Sequence, residues 1–549
     1  MDHQYLNCLD PSPNPRSKKL ASDFDAIIIG GGHNGLTCAA YLAKAGLSVL
    51  VLEQYKTVGG MTLTEEITLP GFRSDLHSYS HTFDLLSPAL QDLELSKYGL
   101  EFIFPDPTFT NVFPDGRAAS VWRELDKTCE SIAKFSRKDA ESWRRLHEMY
   151  LAGKPSTVRL LFGAPPPFGA LASEMEKSET GMEIFRSLLI SVRTWCNEWF
   201  ESDEIRTLFG SWAMHAGFSL EDSNGADFVY LITSVCQDSG NGIVKGGSGG
   251  IALALEKYVL AHGGTVLTNA FVDKAIIKDG RATGVRLRDG RMFNAKRAVI
   301  SAVDPKQTYL KFIGEDQLDP TLAHKVKRLD YGSSVATVHY AFNSRPRYHA
   351  GEEADNAAYV HVTPNFDSMA KVSYECRAGL IPEDPWYLVT NDSAFDHTRA
   401  PNGKYVMKFL LCNLPNPIKG DARGEIRERN WDEAKEQVAD RVEANFSRYV
   451  KNLGEIKLKR VVESPVDLER RNPNVVNGSL LNGAAPIEQF FAFRPFPGWS
   501  QYRTNVSNLY MCGSCTHPGP GVSTAPGYNG ARAVLEDLGY EFAKLTSLH

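Results

Sequence analysis

The sequence predicts an α/β chain: a Rossmann-like dinucleotide-binding domain with a discontinuous α+β domain inserted into it. Three observations predict this. A β-branched run, a glycine-rich turn and a small-residue helix follow one another near the start of the chain. Glycine-rich segments recur beside helical or strand patterns far downstream, at 246–250 and 513–521. The 549 residues exceed what one ordinary core holds, so two domains are expected.

The first unit runs from Asp25 to Glu53. Ala26 to Ile29 is the short apolar run of a buried parallel strand. Gly30-x-Gly32-x-x-Gly35 follows without a gap. Gly30 permits a tight turn, Gly32 lets backbone approach a pyrophosphate, and Gly35 lets the helix pack close to the strand. Leu36, Ala39, Ala40 and Ala43 recur at helical spacing, and Gly46 ends the helix. Leu47 to Leu52 reads as a second buried strand. Glu53 stands at its carboxyl end, 18 residues past Gly35, where a carboxylate accepts ribose hydroxyls. The helix start offers free N–H groups and a positive dipole end to phosphates. This fingerprint serves NAD and FAD alike. Gly59-Gly60, six residues after Glu53, favours FAD, because it lets the chain turn back under the pyrophosphate towards a flavin.

Composition narrows the class. Hydrophobic and charged fractions of 42% and 23% are those of a globular protein. A net charge of −6 offers no basic field to nucleic acid. No run of 18 apolar residues exists, so no transmembrane helix is expected. Residues 1–22 are polar, contain Pro11, Pro13 and Pro15, and lack signal-peptide and transit-peptide patterns; a flexible tail and a cytoplasmic location are expected. Nine cysteines are scattered from Cys8 to Cys515, and the seven without framework spacing fit a reducing compartment. Cys512-Gly-Ser-Cys515 stands out as a CxxC. It reads either as a redox disulfide or as two small residues on a strand under a cofactor. The second is preferred, because Leu509 to Cys512 reads as a strand and Pro518 follows too soon for a helix.

In chain order, Asp75-Leu-His-Ser-Tyr-Ser-His81 follows the Gly59-Gly60 turn, as a loop near flavin or substrate or as an ordinary hydrogen-bonded loop. No carboxylate–histidine cluster with ligand spacing recurs, so no metal is expected. Phe104 to Phe109 and Phe113 to Gly116 carry hairpin-turn signals. Helical periods dominate from Glu124 to Gln237, with one helix over Ala140 to Leu151 and another over Met182 to Phe200. Gly263 to Asp273, Lys274 to Lys278, Gly284 to Leu287 and Ala298 to Val303 read as strands that bring the chain back to the nucleotide domain. Ser333 to Asn343, Ala357 to Thr363, Trp386 to Thr390 and Lys404 to Leu411 suggest a separate mixed sheet. Trp431 to Tyr449 reads as a helix, Leu509 to Cys512 as a last strand, and Gly527 onwards as a final helix. The expected division places the nucleotide domain at 23–100, 241–310 and 485–549. The inserted domain takes 101–240, mostly helical, and 311–484, a mixed sheet plus helix.

Five motifs together carry a family resemblance: Gly30-Gly-Gly-His-Asn-Gly35, Gly59-Gly-Met-Thr-Leu-Thr-Glu-Glu66, Gly246-Gly-Ser-Gly249, Gln489-Phe-Phe-Ala-Phe-Arg-Pro495 and Cys512-Gly-Ser-Cys-Thr-His-Pro-Gly-Pro-Gly-Val522. From about Phe24 to Leu538 the chain resembles the phytoene desaturase-like FAD-dependent oxidoreductases of the flavin amine-oxidase superfamily. Within them it is similar to the branch of desaturase-type carotene ketolases and pyridine nucleotide-disulfide oxidoreductase domain-containing protein 2-like proteins. The resemblance implies an amine-oxidase-like fold and non-covalent FAD. It implies cofactor contacts at Gly30, Gly32, His33, Asn34, Gly35, Glu53, Gln54, Gly59, Gly60, Met61, Thr62, Gly513, Gly521 and Val522, with Val272 offering backbone bonds to the adenine. It implies a hydrophobic substrate that is dehydrogenated, oxidised or isomerised. Met61 stands where amine oxidases usually carry arginine, which weakens that branch.

Two other functions stay open: an amine or amino-acid oxidase, and a flavoprotein acting mainly as a binding or assembly partner. Catalytic candidates are His517 and Arg494, then Tyr528 and His81. Peripheral membrane contact and the oligomeric state are left open.

Overall fold

A computed structural model describes residues 21–78 and 80–548. Most of the expected N-terminal tail, residues 1–20, and Tyr79 of the Asp75–His81 loop lie outside the described residues. Strand β1 (Asp23–Ile29) leads through the glycine turn into helix α1 (His33–Lys44), which returns to strand β2 (Val49–Leu52). β1 and β2 pair in parallel, with Ala26 opposite Val49 and Ile29 opposite Leu52. Both strands are apolar because both faces are covered.

These strands sit inside a seven-stranded sheet built from separated stretches of chain. Its order is 272–278, 281–287, 292–301, β1, β2 and 265–267, with 509–511 pairing parallel to the second half of 292–301. α1 packs on one face together with the helix Gly249–Ala261 and the final helix Ala525–Asp537.

A second seven-stranded sheet has the order 457–463, 334–342, 405–414, 387–390, 359–362, 109–112 and 118–121. Side chains alternate across it. Val338, Tyr340, Met407 and Phe409 face the helix Trp431–Phe446 in one core cluster. The opposite face carries Thr337, His339, Lys408, Thr390, His361 and Glu463, all buried. So many polar groups on a buried face require partners. Lys408 Nζ donates to the carbonyls of Asp75 at 3.0 Å and His77 at 2.7 Å. Arg399 pairs with the Asp75 carboxylate at 2.9 Å and donates Nε to the Arg73 carbonyl at 3.0 Å. These contacts pin the chain that follows the Gly59-Gly60 turn onto the second sheet.

Several sequence expectations need correction. Met182 to Phe200 is two helices, Glu179–Leu189 and Val192–Trp199, because Ser191 caps the second by accepting from Thr194 N–H. The helix over Ala140 to Leu151 runs longer, Arg137–Leu161, started by the Ser136 cap. Gly263 to Asp273 is not one strand. It breaks after Leu267, where Asn269 takes a φ of 52° and Ala270 N–H bonds back to the Glu53 carbonyl at 2.8 Å. Phe104 to Phe109 is not a hairpin, since 102–103 pairs with 243–244 instead. Phe113 to Gly116 does join the hairpin strands 109–112 and 118–121. Among the described residues no helix is long and apolar enough to cross a membrane.

At the edge of the second sheet, Arg471 binds Glu463, with Nε 2.9 Å from Oε1. Burial opposes ionisation of Glu463, but hydrogen bonding and charge from His339 and Arg471 outweigh it and bring its pKa down to about 2. Burial lowers His339 itself, so Arg471 is the partner that stays charged. A depressed carboxylate contributes stability above its unfolded value and loses it as pH falls towards the folded value. We predict that this contribution is present at neutral pH and is lost progressively below about pH 4.5. Denaturant unfolding of Glu463→Gln should show lower neutral stability and a shallower fall with acid than wild type. Parallel pH profiles would contradict the assignment.

Candidate cofactor and active site

The glycine turn closes against its own helix. A Cβ at Gly35 would stand 2.1 Å from the Gly30 carbonyl oxygen, and one at Gly31 would stand 2.9 Å from Glu53 Cβ. Gly32 is different. A Cβ there meets nothing nearer than Gly60 Cα at 3.9 Å, and its φ of −72° suits any residue. The side left open at Gly32 is the cleft itself. Gly32 caps α1 without a side-chain bond, so the first-turn N–H groups are bare at the cleft.

The cleft runs across the carboxyl ends of β1 and β2. Gly30, Gly32, His33, Asn34 and Gly35 line its centre. Glu53, Gln54 and Tyr55 line one end, together with Ala270, Phe271 and Val272 from the interrupted strand. Glu53 Oε2 accepts from Gly31 N–H and Oε1 from Tyr55 N–H, each at 2.7 Å. Burial raises its pKa against the lowering by these backbone bonds. Each carboxylate oxygen keeps a lone pair for a ribose hydroxyl.

The inner end is lined by Gly60, Met61, Arg471, Asn472, Asn482, Ser514 and Cys515. Asn472 Nδ2 lies 3.6 Å from Met61 Sδ, and Asn482 Nδ2 donates to Ser514 Oγ. Asp304 is occupied, accepting from Tyr331 O–H at 2.5 Å and Gln307 N–H at 3.1 Å. Two buried acceptors on the cleft wall have no protein partner, Asn34 Oδ1 and Asn482 Oδ1. A bare helix start, an open backbone at Gly32, a ribose acid and two unpaired amide oxygens fit an extended dinucleotide carrying a polar ring system.

The ionisable groups here are neutral or engaged. Burial, with the nearby His81, takes His33 down to about 4, so it is uncharged at neutral pH. Burial pushes the Cys515 thiol up to about 12. Cys512 faces away from it: a hydrogen bond with Cys38, together with burial, raises that thiol too. Both are free cysteines, and protonated thiols are poor redox nucleophiles.

Other expected positions stand outside the cleft wall. Gly59 donates N–H to the Gly31 carbonyl at 3.0 Å and accepts from Thr62 Oγ1 at 2.9 Å, so the pair shapes the turn from behind. Gly513 packs on the backbone of Ala302, Gly521 on Phe83, and Val522 on the core around α1. Ser514 and Cys515 take the cleft-facing places that the glycines of this loop were expected to hold. The catalytic candidates are all buried away from it. His517 Nε2 lies 2.8 Å from the Leu160 carbonyl. The Tyr528 hydroxyl bonds Thr546 at 2.8 Å inside an aromatic cluster with Tyr41 and Phe542. His81 is held between Asp84 and Ser248, each at 2.8 Å. Arg494 binds backbone carbonyls behind the inner end. Sequence reasoning missed Asn472, Asn474 and Asn482; their signal was the density of asparagine across 472–482.

Comparison with known proteins agrees with this geometry. Residues 35–458 match the model of a family described as flavin containing amine oxidoreductase. The chain is 29% identical to pyridine nucleotide-disulfide oxidoreductase domain-containing protein 2 of Rattus norvegicus, covering 96% of this chain and 98% of that one. It is 29% identical to a subunit of limonene dehydrogenase from Castellaniella defragrans, covering 94% and 95%. It is 27% identical to a phytoene desaturase of Fusarium fujikuroi, covering 94% and 90%. Among solved structures, an oxidoreductase from Methanosarcina mazei superposes with a TM-score of 0.61 at 17% identity, over 93% of this chain and 99% of that one. That likeness carries the fold.

The two glycines separate cleft from scaffold. Gly32→Val should leave unfolding stability within about 1 kcal/mol of wild type while FAD occupancy falls at least tenfold. Gly35→Ala should cost about 1–3 kcal/mol of stability through the clash with Gly30. Flavin absorbance per chain and denaturant unfolding check both. Full occupancy in Gly32→Val would contradict the placement.

Proposed function

The chain belongs to the flavin containing amine oxidoreductase family, and on that premise we propose that it dehydrogenates, oxidises or isomerises an apolar polyene, isoprenoid or acyl-like substrate. The protein is an FAD-dependent oxidoreductase of phytoene desaturase-like type. FAD, when bound, supplies the hydride acceptor at flavin N5.

The observation that carries the substrate class is the position of Met61. It lines the inner end of the cleft and also packs, with Phe83, Phe228, Leu480 and Leu481, against the large apolar core under the second sheet. Met61, Phe83, Phe228, Leu480 and Leu481 are themselves only partly buried, so they offer apolar surface that would recognise a substrate by burial, with few polar contacts. The cleft residues suit this chemistry. Glu53 and Asp304 are held by hydrogen bonds, Arg471 by Glu463, and Cys515 is a protonated thiol. The charged groups of the cleft are engaged with one another or with backbone, so this chain's contribution is to orient the substrate and exclude water. The names of two relatives, a limonene dehydrogenase component and a phytoene desaturase, point to the same substrate class.

Anaerobic mixing tests the reading. A cyclic isoprenoid hydrocarbon or a linear polyene should bleach the flavin absorbance, and primary amines should leave it unchanged. Bleaching by amines alone would replace this reading with that of an amine oxidase.

A further inference from the structure

Arg494 is only 1% exposed, and its guanidinium donates to backbone carbonyls from three nitrogens. Nη2 donates to Leu481 at 2.7 Å and Ser514 at 2.9 Å. Nη1 reaches Gly483 and Ala484 at 3.3 Å and Gln489 at 3.4 Å, and Nε reaches Ser514 at 3.3 Å. Among the described residues no carboxylate lies within ion-pair distance of it. Two other buried arginines have one: Arg399 pairs with Asp75 at 2.9 Å and Arg441 with Asp421 at 2.7 Å. Burial lowers the Arg494 pKa to about 10, which still leaves the group charged at neutral pH.

The surrounding chain is shaped to hold this cation. A Cβ at Gly483 would stand 3.5 Å from both terminal nitrogens, and one at Gly519 would stand 3.4 Å from Nε. Both glycines have positive φ, 129° and 111°. A buried charge with dipoles but no counter-ion is costly, and it is stabilised whenever negative charge arrives nearby. The carbonyls that hold it belong to the two loops that place Asn482 and Ser514 on the inner wall of the cleft. The charge therefore sits one peptide behind that wall.

Two-electron reduction of FAD, by hydride addition at N5, adds one negative charge to a ring system that is neutral when oxidised. We propose that Arg494 is a positioning residue which, through the Ser514 peptide, favours this added charge and so raises the reduction potential of the bound flavin. It also clamps the two loops in register. The proposal rests on FAD occupying this cleft and is independent of the substrate class proposed above.

The test is the flavin midpoint potential of the purified holoprotein, measured against reference dyes in wild type, Arg494→Gln and Arg494→Lys. Arg494→Gln should make reduction about a hundredfold less favourable, the size of effect expected from one charge several ångströms away. That corresponds to a potential lower by about 60 mV, at ~30 mV per tenfold for a two-electron couple. Arg494→Lys should restore most of the difference. A flavin-loaded Arg494→Gln within threefold of wild type would overturn the proposal, as would an Arg494→Lys as low as Arg494→Gln. If neither variant folds, the wild type decides. Its reduced flavin should keep the anionic spectrum at pH values where free reduced flavin takes up a proton, and protonation at the same pH as free flavin would overturn the proposal. A wild-type chain that binds no flavin at all would instead overturn the cofactor assignment beneath it.

Discussion

A side chain at position 35 would bring its Cβ to 2.1 Å from the Gly30 carbonyl oxygen, so α1 can rest on β1 only because that position is glycine. This contact sets the height of the helix start above the sheet. It leaves the first-turn N–H groups bare at a point where Gly32 is open and Glu53 stands alongside. The remainder of the cleft is arranged around that point. The break after Leu267 follows from it, since Ala270 bonds the Glu53 carbonyl and brings Phe271 and Val272 to the cleft end. An uninterrupted strand there would carry those residues past the site.

A second constraint is the polar inner face of the second sheet. Arg399 and Asp75 are buried charges that depend on one another, and Lys408, which burial brings down to about 7, donates to backbone carbonyls of the 75–77 segment. Removing one partner of such a set strands the rest, at a cost of about 3–5 kcal/mol. The set joins the segment following the Gly59-Gly60 turn to the sheet that contributes Tyr359, Leu388 and Leu410 to the apolar core against which Met61 packs. Cofactor cleft and apolar core are thereby held in a fixed relation, as an FAD-dependent oxidoreductase needs in order to orient a substrate against its cofactor.

The parts of this arrangement legible in the sequence are those whose chemistry is local. Gly30, Gly32 and Gly35 work through their spacing along one turn, so the spacing identifies them. Glu53 follows from strand length. Met61 and Val272 came from resemblance to a family, and the structure places both on the cleft wall. The inner end was not legible. Asn472, Asn482 and Ser514 arrive there from segments more than 400 residues away from the glycine turn, and nothing local marks where they meet. The same holds for the catalytic candidates. His517 stands in the glycine-rich loop expected to face the flavin, but the helix Arg137–Leu161 supplies the carbonyl that holds its ring away from the cleft. Tyr528 is closed off by Thr546 near the end of the chain. Arg494 is a catalytic candidate in the sequence, but its carbonyl cage depends on glycines at 483 and 519, whose backbone angles only the folded chain reveals.

The central claim is that this cleft is an FAD site, and the visible spectrum of the purified chain tests it most directly. The predicted result is a yellow protein from which denaturation releases close to one FAD per chain, unmodified. A colourless chain that develops no flavin spectrum when FAD is added would contradict it.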